Sequence, residues 1–232
     1  MSYLLPIKER ITLLSPLLFL WSIIYYKGLS YIKSPSYING TIHTTMILLW
    51  LSYSYDNLKY VIPWSQSYFI FDTILSSYIL TKPIIINSYN MICTHKKRYS
   101  IPTDHIGYLI HHIMALYLLY VIRISPHLSH SFIESYMCLE YSNLFLYSTY
   151  FIFQKYGKLH PISITTLGIE ICGYGYIRGY VLLQLILKNW SIFPTTIRYC
   201  AICLYCLGLY WIKVISQQFI SSIKKKNKYI IL

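Results

Sequence analysis

Oily runs and short polar breaks alternate along this chain at a nearly regular spacing. Seven runs approach the roughly 20 residues that a helix needs to cross about 30 Å of hydrocarbon. They extend from Ile11 to Tyr31, Thr41 to Tyr60, Ser67 to Ile86, Ile106 to Ile124, Phe132 to Phe153, Ile162 to Leu187 and Pro194 to Ile215. The pattern predicts an all-α fold: a multi-pass transmembrane helical bundle of about seven spans. Only "NLKYVIPWSQS" separates the second run from the third, and that link is itself half apolar. Lys8 and Arg10 precede the first run, as they would in a signal peptide. The run is long and carries no small-residue cleavage site, so an uncleaved anchor is expected.

Composition supports the membrane reading. Of 232 residues, 56% are hydrophobic and 12% charged, far from the balance of a soluble domain. Twenty Lys and Arg against seven Asp and Glu give a formal charge of +13. The basic residues sit between the oily runs and are not gathered on one soluble face, so no nucleic-acid partner is expected. Ile and Tyr abound while Ala occurs only at 115 and 201, a bias of the kind an AT-rich genome produces, so single tyrosines carry little weight.

Charge also predicts orientation. With seven spans, one side holds Lys27, Lys33, Lys82, Lys96, Lys97, Arg98, Lys155, Lys158, Lys224, Lys225, Lys226 and Lys228. The other side holds Lys8, Arg10, Lys59, Arg123, Lys188 and Arg198. The positive-inside rule then puts the C-terminal tail in the cytosol and the N-terminus outside or in a lumen. The tail "KKKNKYIIL" is basic enough to touch anionic lipid.

A charge near the bilayer centre costs about 2.5 to 3.5 kcal/mol on insertion scales, so each one that persists needs a partner or a function. The candidates are His43 in "NGTIHTTMILL", Asp72 in "YFIFDTILSSY", the adjacent His111 and His112 in "LIHHIMAL", Glu140 and Asn143 in "CLEYSNLFLY", and Arg178 in "GYIRGYVLL". Asp72 with Ser76, and Glu140 with Asn143 and Tyr147, form stripes at helical spacing that should face the bundle interior. His111 and His112 sit about 100° apart on their helix, so both can border one pocket without pointing the same way. Depth predicts that Asp72 and Arg178 pair, and that a histidine of the adjacent pair contacts Glu140, which would orient the ring. Interhelical hydrogen bonding is the plain alternative for all of them. Adjacent histidines rarely bind one metal together, so no metal is expected, and Cys200, Cys203 and Cys206 in "CAICLYC" read as small packing residues.

Taken in order, "YINGTIHTT", "YFIFDTILS", "LIHHIMAL", "LEYSNLF", "YIRGYVL" and "LGLYWIKVI", the last with Trp211, resemble the TLC-domain family from about Tyr37 to Phe219. That family includes ceramide synthases, translocon-associated membrane proteins and smaller TLC-domain-containing proteins. The resemblance implies an N-terminal transmembrane anchor over 1–36, a six-helix TLC-like domain over 37–219 and a basic cytosolic tail over 220–232. It implies a protein of the endoplasmic-reticulum membrane whose bundle binds or processes a lipid or acyl chain. As an enzyme of ceramide-synthase type it would transfer an acyl group from acyl-CoA to a long-chain amine. His111 or His112 would then be base or acyl acceptor with Glu140 orienting it, and Asp72, Asn143, Arg178 and His43 would be binding residues. No resident cofactor is implied.

The chain departs from the synthases in lacking their second His-Asp pair and further acidic residues after the paired histidines. Its Glu140-Tyr141-Ser142 is similar to the Glu-x-Ser of the smaller relatives, and Gly40 and Gly208 stand where the family often has Ser and Asn. A non-catalytic lipid sensor, carrier or cargo-handling protein is therefore a rival reading. A zinc hydrolase of lipid amides would need an i, i+4 histidine pair that is absent here, and a receptor reading rests on span count alone.

Overall fold

The computed structural model describes residues 7–32, 36–93 and 104–230, and every regular element among them is helical. These are α1 (Ile7–Gly28), α2 (Ser36–Tyr53), α3 (Leu58–Cys93), α4 (Asp104–Ile124), α5 (Ser129–Tyr156), α6 (Pro161–Gly175), α7 (Leu182–Lys188) and α8 (Thr195–Ile230). A π-helical stretch, Tyr176–Val181, joins α6 to α7 without interruption, so the described chain folds as seven rods. Of the residues that predicted the orientation, Lys33, Lys96, Lys97 and Arg98 lie outside the described residues.

Among the described residues, three stretches, Tyr55–Ile86, Ile106–Ile124 and Thr195–Lys226, are long and apolar enough to cross a membrane, fewer than the seven expected. The shortfall has local causes. Asn39, Thr41, His43, Thr44 and Thr45 dilute the 18 residues of α2. Glu134, Glu140, Asn143 and Lys155 do the same in α5. The π stretch divides the sixth rod into α-helical pieces of 15 and 7 residues.

The boundary between the second and third rods also differs from expectation. Ser54 is extended, and its hydroxyl accepts the Asp56 N–H at 3.2 Å. Asn57 Nδ2 donates back to the Trp50 carbonyl at 2.9 Å. Such local polar bonds compete with the helix and stop α2 at Tyr53, seven residues before the expected end. The apolar part of "NLKYVIPWSQS" therefore belongs to α3, where Val61 and Ile62 are buried. Between α5 and α6, Gly157 adopts a positive φ of 81°, which costs glycine little. The imidazole of His160 then caps the Ile162 N–H at 3.3 Å, with Pro161 at the first helical position.

Neighbouring rods close a ring in the order α2, α3, α4, α8, α6–α7, α5 and back to α2, with α1 against α2 and α3. α4 and α5 thus face each other across the ring. The segment expected as an N-terminal anchor is part of this core. Trp21 is 0% exposed, its ring 4.6 Å from Trp64 and 5.3 Å from Tyr68. Its Nε1 donates to Ser67 Oγ at 3.0 Å, and its carbonyl accepts from Asn39 Nδ2 at 3.3 Å. At the other end, α8 continues through residue 220 to Ile230, so the expected tail begins as helix. Thirty-six residues make it roughly 54 Å long, well beyond one span. Cys203 and Cys206 are exposed on α8, and both are free thiols, as is Cys200.

Trp21→Ala is expected to lower stability by about 3 to 5 kcal/mol, the usual cost of deleting a buried tryptophan. Denaturant unfolding in detergent micelles checks it; a loss below about 1 kcal/mol would make α1 a peripheral anchor instead.

Candidate functional site

Polar side chains from five rods meet inside the ring, in two groups. The larger begins on α5, where Glu140, Ser142 and Asn143 share one helical turn. Glu140 Oε2 accepts from Thr44 Oγ1 of α2 in a short hydrogen bond, and from Asn143 Nδ2 at 3.2 Å. Glu140 Oε1 lies 3.9 Å from His43 Nδ1, and the His43 ring stacks on Tyr68 at 4.0 Å. Arg178 completes this group. Its Nε donates to Ser142 Oγ at 2.6 Å, while Nη2 reaches Asn143 Oδ1 at 3.0 Å and the Leu139 carbonyl at 3.4 Å.

Arg178 sits within the π stretch, and the surroundings accommodate that geometry. The Leu182 N–H bonds to the Ile177 carbonyl, five residues back, instead of four. Ile177 O also accepts from Cys138 Sγ at 3.6 Å, and the Gly179 carbonyl takes the Tyr205 hydroxyl at 3.1 Å. Close packing needs small residues here. A Cβ on Gly173 would lie 2.6 Å from Phe145 Cε1. Gly40 has a comparable reason, because a Cβ there would lie 2.7 Å from Tyr147 Cζ. The Tyr147 hydroxyl, within hydrogen-bonding reach of Thr44 and Tyr68, fills that space.

The second group is Asp72 and His112, with Oδ2 and Nδ1 3.1 Å apart and both residues buried. This corrects the expected Asp72–Arg178 pair. α3 lies directly beside α4, so Asp72 meets His112, whereas the rod bearing Arg178 packs against α5 and α8 and turns the guanidinium toward Ser142 and Asn143. The expected contact between Glu140 and the adjacent histidines is replaced in the same way, because α2 rather than α4 packs on α5 and brings His43 to the carboxylate. His111 and His112 diverge as their spacing requires, ring centres 5.4 Å apart and planes at 57°. His112 turns to α3 and His111 to the centre of the ring.

There His111 borders an elongated cavity between α4 and α5. Glu140, Asn143 and Arg178 share its polar end with His111. Leu118, Ile122, Phe132, Ile186, Phe193 and Ile197 are among the apolar side chains that carry it toward the α4–α5 and α7–α8 links. Eleven residues separate His111 from Ile122 and eight separate Arg178 from Ile186, which at 1.5 Å per residue makes the shaft roughly 12 to 16 Å long. Among the described residues, no three His, Cys, Asp or Glu side chains converge as a metal site would require.

One participant is missing from the sequence reading: Thr44 donates to Glu140 alongside Asn143, and its only sequence signal is its place next to His43. Outside the two groups, Glu170, only 2% exposed and beside Thr149, is a buried acid in "LGIEICG" that hydropathy alone would have flagged.

A double-mutant cycle tests the pairing. Asp72→Asn and Arg178→Gln should add to within roughly 0.5 kcal/mol in unfolding free energy, whereas Asp72→Asn and His112→Gln should couple by about 0.5 kcal/mol or more. Coupling confined to the first cycle would overturn the arrangement. Compared with protein-family models, curated proteins and solved structures, the chain finds no match.

Proposed function

We propose that this chain is a seven-span membrane protein, similar to the smaller TLC-domain proteins, that holds a lipid or acyl chain inside its helical ring. The observation carrying this reading is the form of the cavity: a polar end of His111, Glu140, Asn143 and Arg178, continued by a narrow apolar shaft. An amphiphile with one head and one extended tail matches both parts, and the apolar walls gain by excluding water. The exposed large hydrophobics support the seven spans. Phe19, Leu49, Ile74, Ile113, Tyr141, Ile169 and Leu209 put one on each of the seven rods, where lipid would cover them. Residence in the endoplasmic-reticulum membrane and a part in lipid metabolism or membrane composition follow from the family resemblance.

Ala201 lines the shaft, so Ala201→Trp fills it from α8. Wild type purified in mild detergent should carry a lipid detectable by mass spectrometry, and Ala201→Trp of equal helicity should lose most of it. Equal lipid content in both would reject the cavity as the binding place.

A second reading, a ceramide synthase-like acyltransferase using acyl-CoA, draws support from His111, whose place at the polar end puts an imidazole beside a bound acyl head. Glu140 contacts His43 instead of His111, so the orienting partner of that chemistry is not assembled. Turnover of an acyl-CoA and a sphingoid base by wild type, abolished in His111→Ala, would establish it. No turnover by either protein leaves the binding role.

A further inference from the structure

We infer that Arg178 receives the head group of a single-chain lipid carboxylate, a fatty acid whose tail occupies the apolar shaft. This rests on the lipid-binding reading above and names the ligand's chemical class.

The first support is a charge with no direct ion-pair partner. Arg178 is 4% exposed, yet its partners are all neutral: the Ser142 hydroxyl, the Asn143 amide oxygen, the Leu139 carbonyl and the face of the Tyr174 ring. Among the described residues, no carboxylate lies within ion-pair distance of it. Glu140, on the same polar end, is linked to it by hydrogen bonds through the shared Asn143 amide, and Asp72 lies beside His112. A guanidinium buried without an anion is costly, and the cost falls when a ligand supplies one.

The second support is an open position. Nε and Nη2 make the protein contacts, while Nη1 donates to no protein group among the described residues, and the side chain borders the cavity. A guanidinium presents its donors in a plane that fits a carboxylate.

The third is the size of the head. Beyond His111, Asn143 and Arg178, the bundle is filled by Tyr37 stacked on Tyr150 at 3.7 Å and Tyr108 against Trp211 at 5.1 Å. With aromatic side chains occupying that side, the polar end suits a compact head such as a carboxylate.

The test uses the full chain in nanodiscs and compares dodecanoate with methyl dodecanoate, dodecylamine and dodecyl phosphate. Dodecanoate should bind saturably and more tightly than the other three. Arg178→Gln should weaken dodecanoate about tenfold or more, as loss of a charged hydrogen bond does, with Arg178→Lys between. Methyl dodecanoate or dodecylamine binding as tightly as dodecanoate, or Arg178→Gln binding dodecanoate unchanged, overturns the inference. Dodecyl phosphate binding more tightly overturns the choice of a carboxylate. If Arg178→Gln does not fold, the comparison of the four amphiphiles on wild type decides alone. Dodecanoate binding that survives Ala201→Trp undiminished instead rejects the cavity itself, whatever Arg178 does.

Discussion

A polar chain crosses the inside of the ring: His43 and Thr44 to Glu140, Glu140 to Asn143, Asn143 to Arg178, and Arg178 back to Ser142. Buried inside the ring, these groups have no bulk water to satisfy them, so the rods must approach each other where the partners meet. Three rods, α2, α5 and the sixth, are held in register this way. Removing one member leaves the next buried and unpaired, which costs more than the bond itself contributes.

The position of the cavity follows from where the rods can come close. Gly40 and Gly173 let α5 press against α2 and the sixth rod. Aromatic pairs fill the same half of the ring. Past Arg178, toward the α4–α5 and α7–α8 links, branched aliphatic and phenyl side chains line the ring without filling its centre. The π stretch stands at the change from one half to the other. Its extra residue turns Arg178 inward, and Cys138 and Tyr205 supply donors to its carbonyls.

The two acid–imidazole contacts have different settings. Asp72 and His112 meet between α3 and α4 away from the cavity lining, which suits a structural contact between the two rods. Glu140 and His43 join α2 to α5, and Glu140 also lines the cavity. Among the described histidine side chains, His111 is the one that reaches it, so the adjacent pair "HH" divides its tasks between structure and site.

Hydropathy alone determined the helical class, because a long apolar run leaves the backbone no better way to satisfy its hydrogen bonds. It also marked His43, Asp72, His111, His112, Glu140, Asn143 and Arg178, since a polar group in such a run stands out without any knowledge of its neighbours. The end of α2 escaped it because Ser54 and Asn57 stop the helix through side-chain bonds that leave no hydropathy signal. Pairing was beyond its reach for a related reason. Depth along a span fixes which residues lie at one level, but the order of rods around the ring decides which of them touch. That order gave Asp72 to His112, His43 to Glu140 and neutral partners to Arg178. The order depends on how seven helical surfaces interlock, which only the folded chain decides.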